Sequence, residues 1–590
     1  MKKNRNLLVV VFLFLTAAAL VCLVGVLTVK DKEDSSLKIK KEKISYSKKN
    51  YHLADNEALY ETQDNKSVET MYLTVRRGSD SENTNHSWSE INGLSVYDYE
   101  KMGVNRYKIL GLLQVGNENG PQSGKLGYGE VVPNATVQVR GQTSSRNSQK
   151  NFKIEIKDGK GSWYGQKTIN LNKHQTESLR FRNKLSYALL EKIPQVLSLR
   201  TQFVHLYVKD TTGDKPNEFV DYGLYTQVEQ LNKAGMRAHN LDSSGQLYKV
   251  NFFEFMDENN VIKLTSDPDY DKEKFEEMLE IKGSSDHSKL IKLIKKVNDS
   301  SSSFYGILEK YFDIDNLSYW MAFQILMGNH DTQNRNMYLY SPLNSQRWYI
   351  IPWDNDASLF ETEYEIKGFT GSSDWESGIS NYWGNVLFRR ALKTKEFRKA
   401  LDNAIEDLRK NYLTDNRITE LSNELAATVE PYITETPDST YLGVSMANHE
   451  KILKALPSEV ESNYQKYFES YQKPMPFFIA TPEKTSDKLK LSWESAYDFN
   501  SEDITYTVEV SKKYDFSDTI LKQENLKLTS INMDMLEEGQ YFIRVKATNT
   551  SGKSQYAFDY YVADNLGKVS GVKSFYVNSD KTVSEDKYEE

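Results

Sequence analysis

A single cysteine, Cys22, is all the thiol chemistry this 590-residue chain holds. It lies inside an uncharged apolar run. The rest of the chain therefore has no disulfide, no cysteine zinc site, no iron–sulfur cluster and no thiol nucleophile. Stability must come from packed cores, and a chain this long has room for two or more. The eight histidines are scattered, so no histidine cluster marks a catalytic zinc and a metal-dependent hydrolase is disfavoured. A surplus of positive charge is also lacking. The formal net charge is −8, which argues against a general nucleic-acid binder.

What is present begins with Met1-Lys2-Lys3-Asn4-Arg5-Asn6, followed by Leu7 to Val29 without one charged side chain. About 20 apolar residues span a bilayer. Basic residues in front of the run put the N-terminus in the cytosol and the bulk of the chain outside. The reading is one N-terminal transmembrane helix, a signal anchor over 1–30. A cleaved signal peptide is the alternative, its apolar region normally shorter. A juxtamembrane linker of limited order follows over 31–68, charged and without periodic pattern. Its basic run from Lys38 to Lys43 suits anionic headgroups.

The stretch Asn329-His330-Asp331-Thr332-Gln333-Asn334-Arg335-Asn336 places an acid and an amide five positions apart. Arg347 to Ile351 then reads as a strand from its β-branched and aromatic content. Pro352 ends it, and Trp353-Asp354-Asn355-Asp356 follows at the strand exit. Phosphoryl transfer from a metal–nucleotide complex needs such a set: one carboxylate for the attacking hydroxyl, an amide and a second carboxylate for magnesium. The Asp-to-Asn offset is that of the protein-kinase catalytic loop. Asp and Asn are also common turn residues, so a solvated turn is the other reading of these positions.

The upstream chain sharpens the pattern. Val137-Gln138-Val139-Arg140-Gly141-Gln142-Thr143-Ser144-Ser145 is a strand running into a polar turn, and Lys150 to Lys157 alternates as a half-buried strand does. Leu179 to Leu190 reads as an amphipathic helix containing Leu179-Arg180-Phe181-Arg182-Asn183. Tyr222-Gly223-Leu224-Tyr225-Thr226-Gln227-Val228-Glu229 and Gln246-Leu247-Tyr248-Lys249 follow. In this order the series resembles the spore-coat CotH family of atypical secreted protein kinases, across roughly Met71 to Lys466. The departures are Gln142-Thr143 in the polar turn and the Asn329-His330 lead-in.

The resemblance implies residue roles. Asp331 matches the catalytic aspartate. Asn336 and Asp354 match the metal-holding pair, with Asp356 a further ligand or a group behind the ligands. Lys150 matches the family lysine that meets phosphate, Lys153 standing by if the register is off. Arg140 suits a bidentate phosphate fork. Glu229 is read as orienting the lysine or binding metal, with a surface ion pair as the other reading. Trp348 and Tyr248 are read as stacking on adenine, with core packing as the other reading of both rings. ATP and Mg2+, or Mn2+, are the implied cofactors. The ordinary kinase signatures are absent: no G-x-G-x-x-G precedes Lys150, and there is no Asp-Phe-Gly or Ala-Pro-Glu.

The expected fold is α+β. A two-lobed atypical kinase-like domain covers 69–472, with strands early and helices late and the site between the lobes. Helices are expected from Asp286, after Asp315-Asn316, and at Trp383–Ala391, Lys395–Asn411, Asn416–Thr428 and Glu450–Gln472. From about Lys473 short alternating strands with regular turns suggest an all-β sandwich. It looks like a fibronectin type III domain over 473–566, with Trp493 and Leu536 as core and Tyr541 as its corner tyrosine. Residues 567–590 read as a loose, disordered tail.

The function expected from the resemblance is a membrane-anchored, extracytoplasmic kinase at the cell surface or spore envelope. It would transfer the ATP γ-phosphate to Ser or Thr of coat or envelope proteins. A non-catalytic surface adhesin or coat-assembly scaffold that kept the fold is the alternative.

Overall fold

The structure is a computed structural model that describes residues 53–213, 218–369, 373, 375–563 and 567–585. The expected anchor over 1–30 and most of the linker lie outside the described residues. Among the described residues no helix is long and apolar enough to cross a membrane. The linker's last part is not loose. The Glu57–Tyr60 turn is docked through Tyr60, whose hydroxyl donates to the Ser198 carbonyl at 3.0 Å.

The first lobe is a sheet closed on itself. Val68–Arg76 pairs in parallel with Thr201–Asp210 and antiparallel with Ile109–Asn117. From Thr201–Asp210 the ladder continues through Phe219–Glu229, Thr168–Asn172, Asn151–Ile156 and Ala135–Arg140, and returns to Ile109–Asn117. Closure leaves no free edge on these strands. Strict alternation fills the interior: Val137, Val139, Phe152, Ile154, Ile169 and Leu171 are buried there. The same alternation turns Gln138, Arg140, Asn151 and Lys153 outward.

The second lobe carries a four-stranded antiparallel sheet in the order Leu279–Ile281, Gln246–Val250, Met337–Ser341, Tyr349–Pro352. Helix Ile314–Leu326 packs behind it and is buried on nearly every side. Asp313 caps this helix by accepting from the Asn316 amide. Asn316 then locks helix to strand: its Nδ2 donates to the carbonyls of Gln195 (3.0 Å) and Ile350 (3.1 Å), and its Oδ1 accepts from the Ile350 amide at 2.7 Å. Helices Ser288–Asn298, Val386–Lys393, Lys395–Asp407, Asp415–Ile433 and Met446–Ser470 complete the lobe near the expected places. Ile418, Leu421 and Leu425 form the core stripe their spacing predicts.

Beyond residue 473 two sheets face each other. One holds Glu483–Thr485, Lys488–Ser492 and Ser530–Asp534. The other runs Thr519–Leu526, Ile504–Ser511, Gly539–Asn549, Val572–Val577, Val583–Glu585. Trp493 is in the shared core, with Leu536 packed against it. The Tyr541 hydroxyl donates to the Glu537 carbonyl at 3.1 Å, as a corner tyrosine does. The expected tail needs correction. Gly567–Ser570 and Val572–Val577 are strands, and Phe575 and Val577 are core, because Val572-Lys573-Ser574-Phe575-Tyr576-Val577 offers enough apolar surface to add a strand beside Gly539–Asn549. The sandwich is packed onto the second lobe rather than tethered to it. Trp383 meets Tyr497 and Phe499 at centroid distances of 5.3 and 5.6 Å.

Asn316→Ala removes three buried hydrogen bonds and leaves the Gln195 and Ile350 backbone groups unpaired. Each orphaned group costs roughly 1–3 kcal/mol. A fall in urea-unfolding free energy of about 2–4 kcal/mol is expected. An unchanged midpoint would show that this bridge does not hold helix and strand together.

Candidate active site

Two turns meet at the open end of one hairpin. Strands Met337–Ser341 and Tyr349–Pro352 pair with Met337 opposite Pro352, so Asn336 and Trp353 leave the ladder side by side. The Trp353 amide donates to the Asn336 carbonyl at 3.2 Å. Asn336 and Asp354 both adopt left-handed backbone, with φ of 57° and 54°. A non-glycine residue there costs on the order of 1–2 kcal/mol, though Asn and Asp bear it best. Asn336 Nδ2 donates to Asp331 Oδ2 at 2.9 Å and to the Asp331 carbonyl at 3.0 Å. The acid and amide five positions apart thus share one turn.

A run of buried amides fixes the two turns to each other. Gln324 Nε2 donates to Asn355 Oδ1 at 2.9 Å, and Asn329 Nδ2 donates to Gln324 Oε1 at 3.0 Å. The Asn355 amide donates to Asn183 Oδ1 and the Asp354 amide to the Tyr187 hydroxyl, each at 3.2 Å. Both partners sit on helix Arg182–Leu190, which begins three residues later than expected, after Arg180 in left-handed backbone, and is buried on nearly every side rather than amphipathic. The Asp331 side is pinned as well. Thr332 Oγ1 lies 2.9 Å from both the Asn329 carbonyl and the Tyr382 hydroxyl, and Asn381 Nδ2 donates to the His330 carbonyl at 3.1 Å.

The electrostatics follow from carboxylates sharing a cleft. Burial and then the neighbouring Asp356 push Asp354 up from 3.8 to about 7, against the pull of Arg140, His174 and Lys249. Partial burial raises Asp331, which stays half open to solvent, with Arg335 and His330 opposing and Asp356 reinforcing. Arg335 Nε lies 3.8 Å from Asp331 Oδ1. His174 Nδ1 lies 3.3 Å from Asp356 Oδ2. Burial pulls His174 down, but Asp356, Glu177 and Asp354 together leave it raised.

Two cations face these acids across Trp353. The Arg140 guanidinium lies 5.8 Å and the Lys249 ammonium 5.6 Å from its ring centroid. Burial lowers Arg140, whose hydrogen-bond partner is the neutral Asn172. Burial lowers Lys249 to about 8, and Arg140 adds to the effect. Two desolvated cations beside a pair of mutually repelling carboxylates suit a polyphosphate with its divalent ion. Among the described residues no three His, Cys, Asp or Glu side chains form a group able to hold a metal. Carboxylate and amide oxygens are the donor type that magnesium takes, with substrate phosphates completing its shell. Asn336, Asp354 and Asp356 are the oxygen donors there that could hold such an ion.

Four of the site assignments need correction. Lys150 is buried and its ammonium donates to the Ser145 carbonyl at 2.6 Å; the acid beside it is Asp98. It holds the polar turn together. Glu229 is buried against Arg200 (2.5 Å) and His239 (2.9 Å), which hold it down at about 2 despite burial. It is not a surface ion pair, and both of its carboxylate oxygens are taken up within the protein. Tyr248 is fully buried, its hydroxyl 2.9 Å from His287 Nδ1, and Trp348 stacks on it at 6.3 Å. Both rings are core, so neither offers a face to adenine. The strand Gln246–Val250 explains the error: adjacent residues point to opposite faces, so Tyr248 enters the core and Lys249 enters the cleft. Lys249 and His174 are the residues that sequence reasoning missed. Alternation carried the signal for Lys249; no periodicity marks His174, which sits in left-handed backbone at φ 50°.

Comparison with known proteins gives a match to the family model described as "CotH kinase protein" over residues 137–469. The inner spore coat protein H of Bacillus subtilis (strain 168) is 23% identical over 306 residues, 51% of this chain and 78% of that protein. Among solved structures, the twitchin kinase region from C. elegans aligns over 69% of this chain and 71% of that one. At 11% identity and a TM-score of 0.13, it carries no argument.

A carboxyl raised in the fold takes up protons that the unfolded chain does not, so it removes stability as pH climbs from about 4 to 7. Asp354→Asn is expected to stabilise the metal-free protein at pH 7.5 by ~1–2 kcal/mol, and the gain should vanish near pH 4. Thermal melts at the two pH values check this; equal melting of parent and variant at pH 7.5 would refute it.

Proposed function

This chain belongs to the CotH kinase family, and on that premise we propose that it is a metal-dependent protein kinase acting outside the cytosol. It transfers the terminal phosphate of ATP to Ser or Thr hydroxyls of coat or envelope proteins. One observation carries the reading: Asp331, Asn336 and Asp354 are retained together at the mouth of one hairpin, with Arg140 and Lys249 across from them.

Bound magnesium would supply neutralisation of the phosphate charge and alignment of the leaving oxygen. Asn336 and Asp354 would hold the ion, with Asp356 beside them. Arg140 and Lys249 would bind phosphate oxygens, the first as a fork and the second as a point charge. Asp331 would accept a hydrogen bond from the acceptor hydroxyl, aim its oxygen at the γ-phosphorus, and take the proton as the bond to the ADP oxygen breaks. The Asn336 hydrogen bond holds the Asp331 carboxylate in that orientation. Its position at the rim, with 45% of the side chain open to solvent, leaves room for a protein substrate. Leu7 to Val29 would anchor the chain in a membrane with this domain outside. The relative named for the inner spore coat supports a spore-envelope setting.

Incubating the purified protein with labelled ATP and magnesium or manganese is expected to label Ser or Thr residues. Asp331→Asn should lower that transfer on the order of a hundredfold or more while nucleotide binding stays within about twofold. Equal turnover by variant and parent would remove Asp331 from the mechanism. Lys249→Ala should weaken magnesium–ATP binding roughly tenfold, about 1.4 kcal/mol. Calorimetry reads it, and an unchanged affinity would return the phosphate role to another cation.

A further inference from the structure

His239 is wholly buried, and both of its ring nitrogens face carboxylates. Nε2 lies 2.9 Å from Glu229 Oε2, and Nδ1 lies 2.6 Å from Asp55 Oδ1. Ionised carboxylates only accept, so both nitrogens donate and the ring is an imidazolium between two anions. Glu229 ends strand Phe219–Glu229, whereas Asp55 belongs to the chain between the apolar N-terminal run and strand Val68–Arg76. Phosphoryl transfer makes no use of this cluster.

The segment around Asp55 is seated by further bonds. Its Tyr60 hydroxyl, which also meets Ser198, lies 2.5 Å from Asp55 Oδ2. Asn56 Nδ2 donates to the Ala238 carbonyl at 3.0 Å, and Gln63 Oε1 accepts from the Thr201 amide at 2.5 Å. Arg200 stands behind Glu229. The charged groups facing the ring are Asp55 and Glu229, with the Tyr60 phenol beside them at a centroid distance of 6.2 Å and Glu191 acting on Tyr60. Burial opposes the charge on His239, but Glu229 and then Asp55 outweigh it and raise the ring to about 9. The folded value exceeds the ordinary one, so this stabilisation is whole below about pH 6.5 and is lost as pH rises through about 9.

His239 sits on the connection between the lobes, residues 230–245, which leads from strand Phe219–Glu229 into strand Gln246–Val250. That connection is tied to the second lobe near both ends. Gln230 Nε2 donates to the Tyr338 hydroxyl at 3.0 Å, and the Asp242 amide donates to the Tyr340 hydroxyl at 2.8 Å. Between these ties, Ala238 and His239 are held by the Asp55 segment. The strand that the connection enters carries Lys249.

We propose that residues 53–63 are a clasp that fixes the interlobe connection through a charged His239, that alkaline pH opens it, and that its closure steadies the strand bearing Lys249. The clasp stands apart from the kinase reading; only the last part rests on the phosphate role given to Lys249. Hydrogen exchange of the full solubilised chain, read by mass spectrometry at pH 7 and pH 10 and corrected for intrinsic rates, tests it. Between the two pH values, residues 53–63 and 233–242 are expected to lose about tenfold more protection than helix Ile314–Leu326. Asp55→Ala should exchange both segments about tenfold faster at pH 7, and His239→Gln should remove the extra loss at pH 10. Loss shared equally with the reference helix, or a 233–242 segment untouched by Asp55→Ala, overturns the clasp. By calorimetry at pH 7, Asp55→Ala should weaken magnesium–ATP binding about threefold. Unchanged affinity alongside faster exchange overturns the link to Lys249 alone. A parent that binds no magnesium–ATP sinks the kinase reading and leaves the clasp standing.

Discussion

The arrangement depends on a short chain of buried amides running from Asn183 through Asn355 and Gln324 to Asn329. It joins three pieces distant in sequence: a helix below the first lobe, the exit of strand Tyr349–Pro352, and the end of helix Ile314–Leu326. Each such bond contributes only about 1 kcal/mol net, yet each group left unpaired in the interior costs more than that. The value of the chain lies in its specificity. Two turns with left-handed residues at Asn336 and Asp354 persist only because neighbouring bonds leave them no other place to go.

Around this chain, buried ion pairs tie distant segments together in a protein without disulfides in its folded part. Arg182 meets Glu363 at 2.5 Å, Lys173 meets Asp438 at 2.7 Å, and Arg200 meets Glu229 at 2.5 Å. Such pairs are weak sources of net stability because both ions lose water, but breaking one strands the other. The first two join segments far apart in sequence, Lys173 to Asp438 most of all, and the third ties two neighbouring strands. Their geometry also separates them from the site. Glu229 is held charged by its cation and imidazole partners, whereas Asp354 and Asp331 are left with raised proton affinity. A carboxylate satisfied by its own protein has nothing left for a metal; one crowded by a second carboxylate does.

Much of the fold was legible in the chain. The alternation in Ala135–Arg140 and Asn151–Ile156, the helical spacing in Ile314–Leu326, and the short strands after residue 473 each reflect a periodicity that local geometry imposes. The Asp331–Asn336 turn and the Pro352-Trp353-Asp354 exit were legible too, since each lies within a few residues of itself. Lys150, Glu229, Tyr248 and Trp348 were misplaced because a residue's face depends on which sheet it joins and in what register. A shift of one position reverses the face, as Tyr248 and Lys249 show. His174 and the strand Val572–Val577 escaped because their roles come from partners remote in sequence.

The order of strands and helices, the apolar run at the N-terminus, the absence of thiol chemistry and the family's acid and amide residues were decided by the amino-acid sequence, because propensity, spacing and composition are local properties. Which cation faces Asp354, which rings are core, how the sandwich packs onto the second lobe, and how far each carboxyl's proton affinity shifts were decided only by tertiary structure. Those depend on desolvation and on charges brought together across hundreds of residues, and neither exists until the chain has folded.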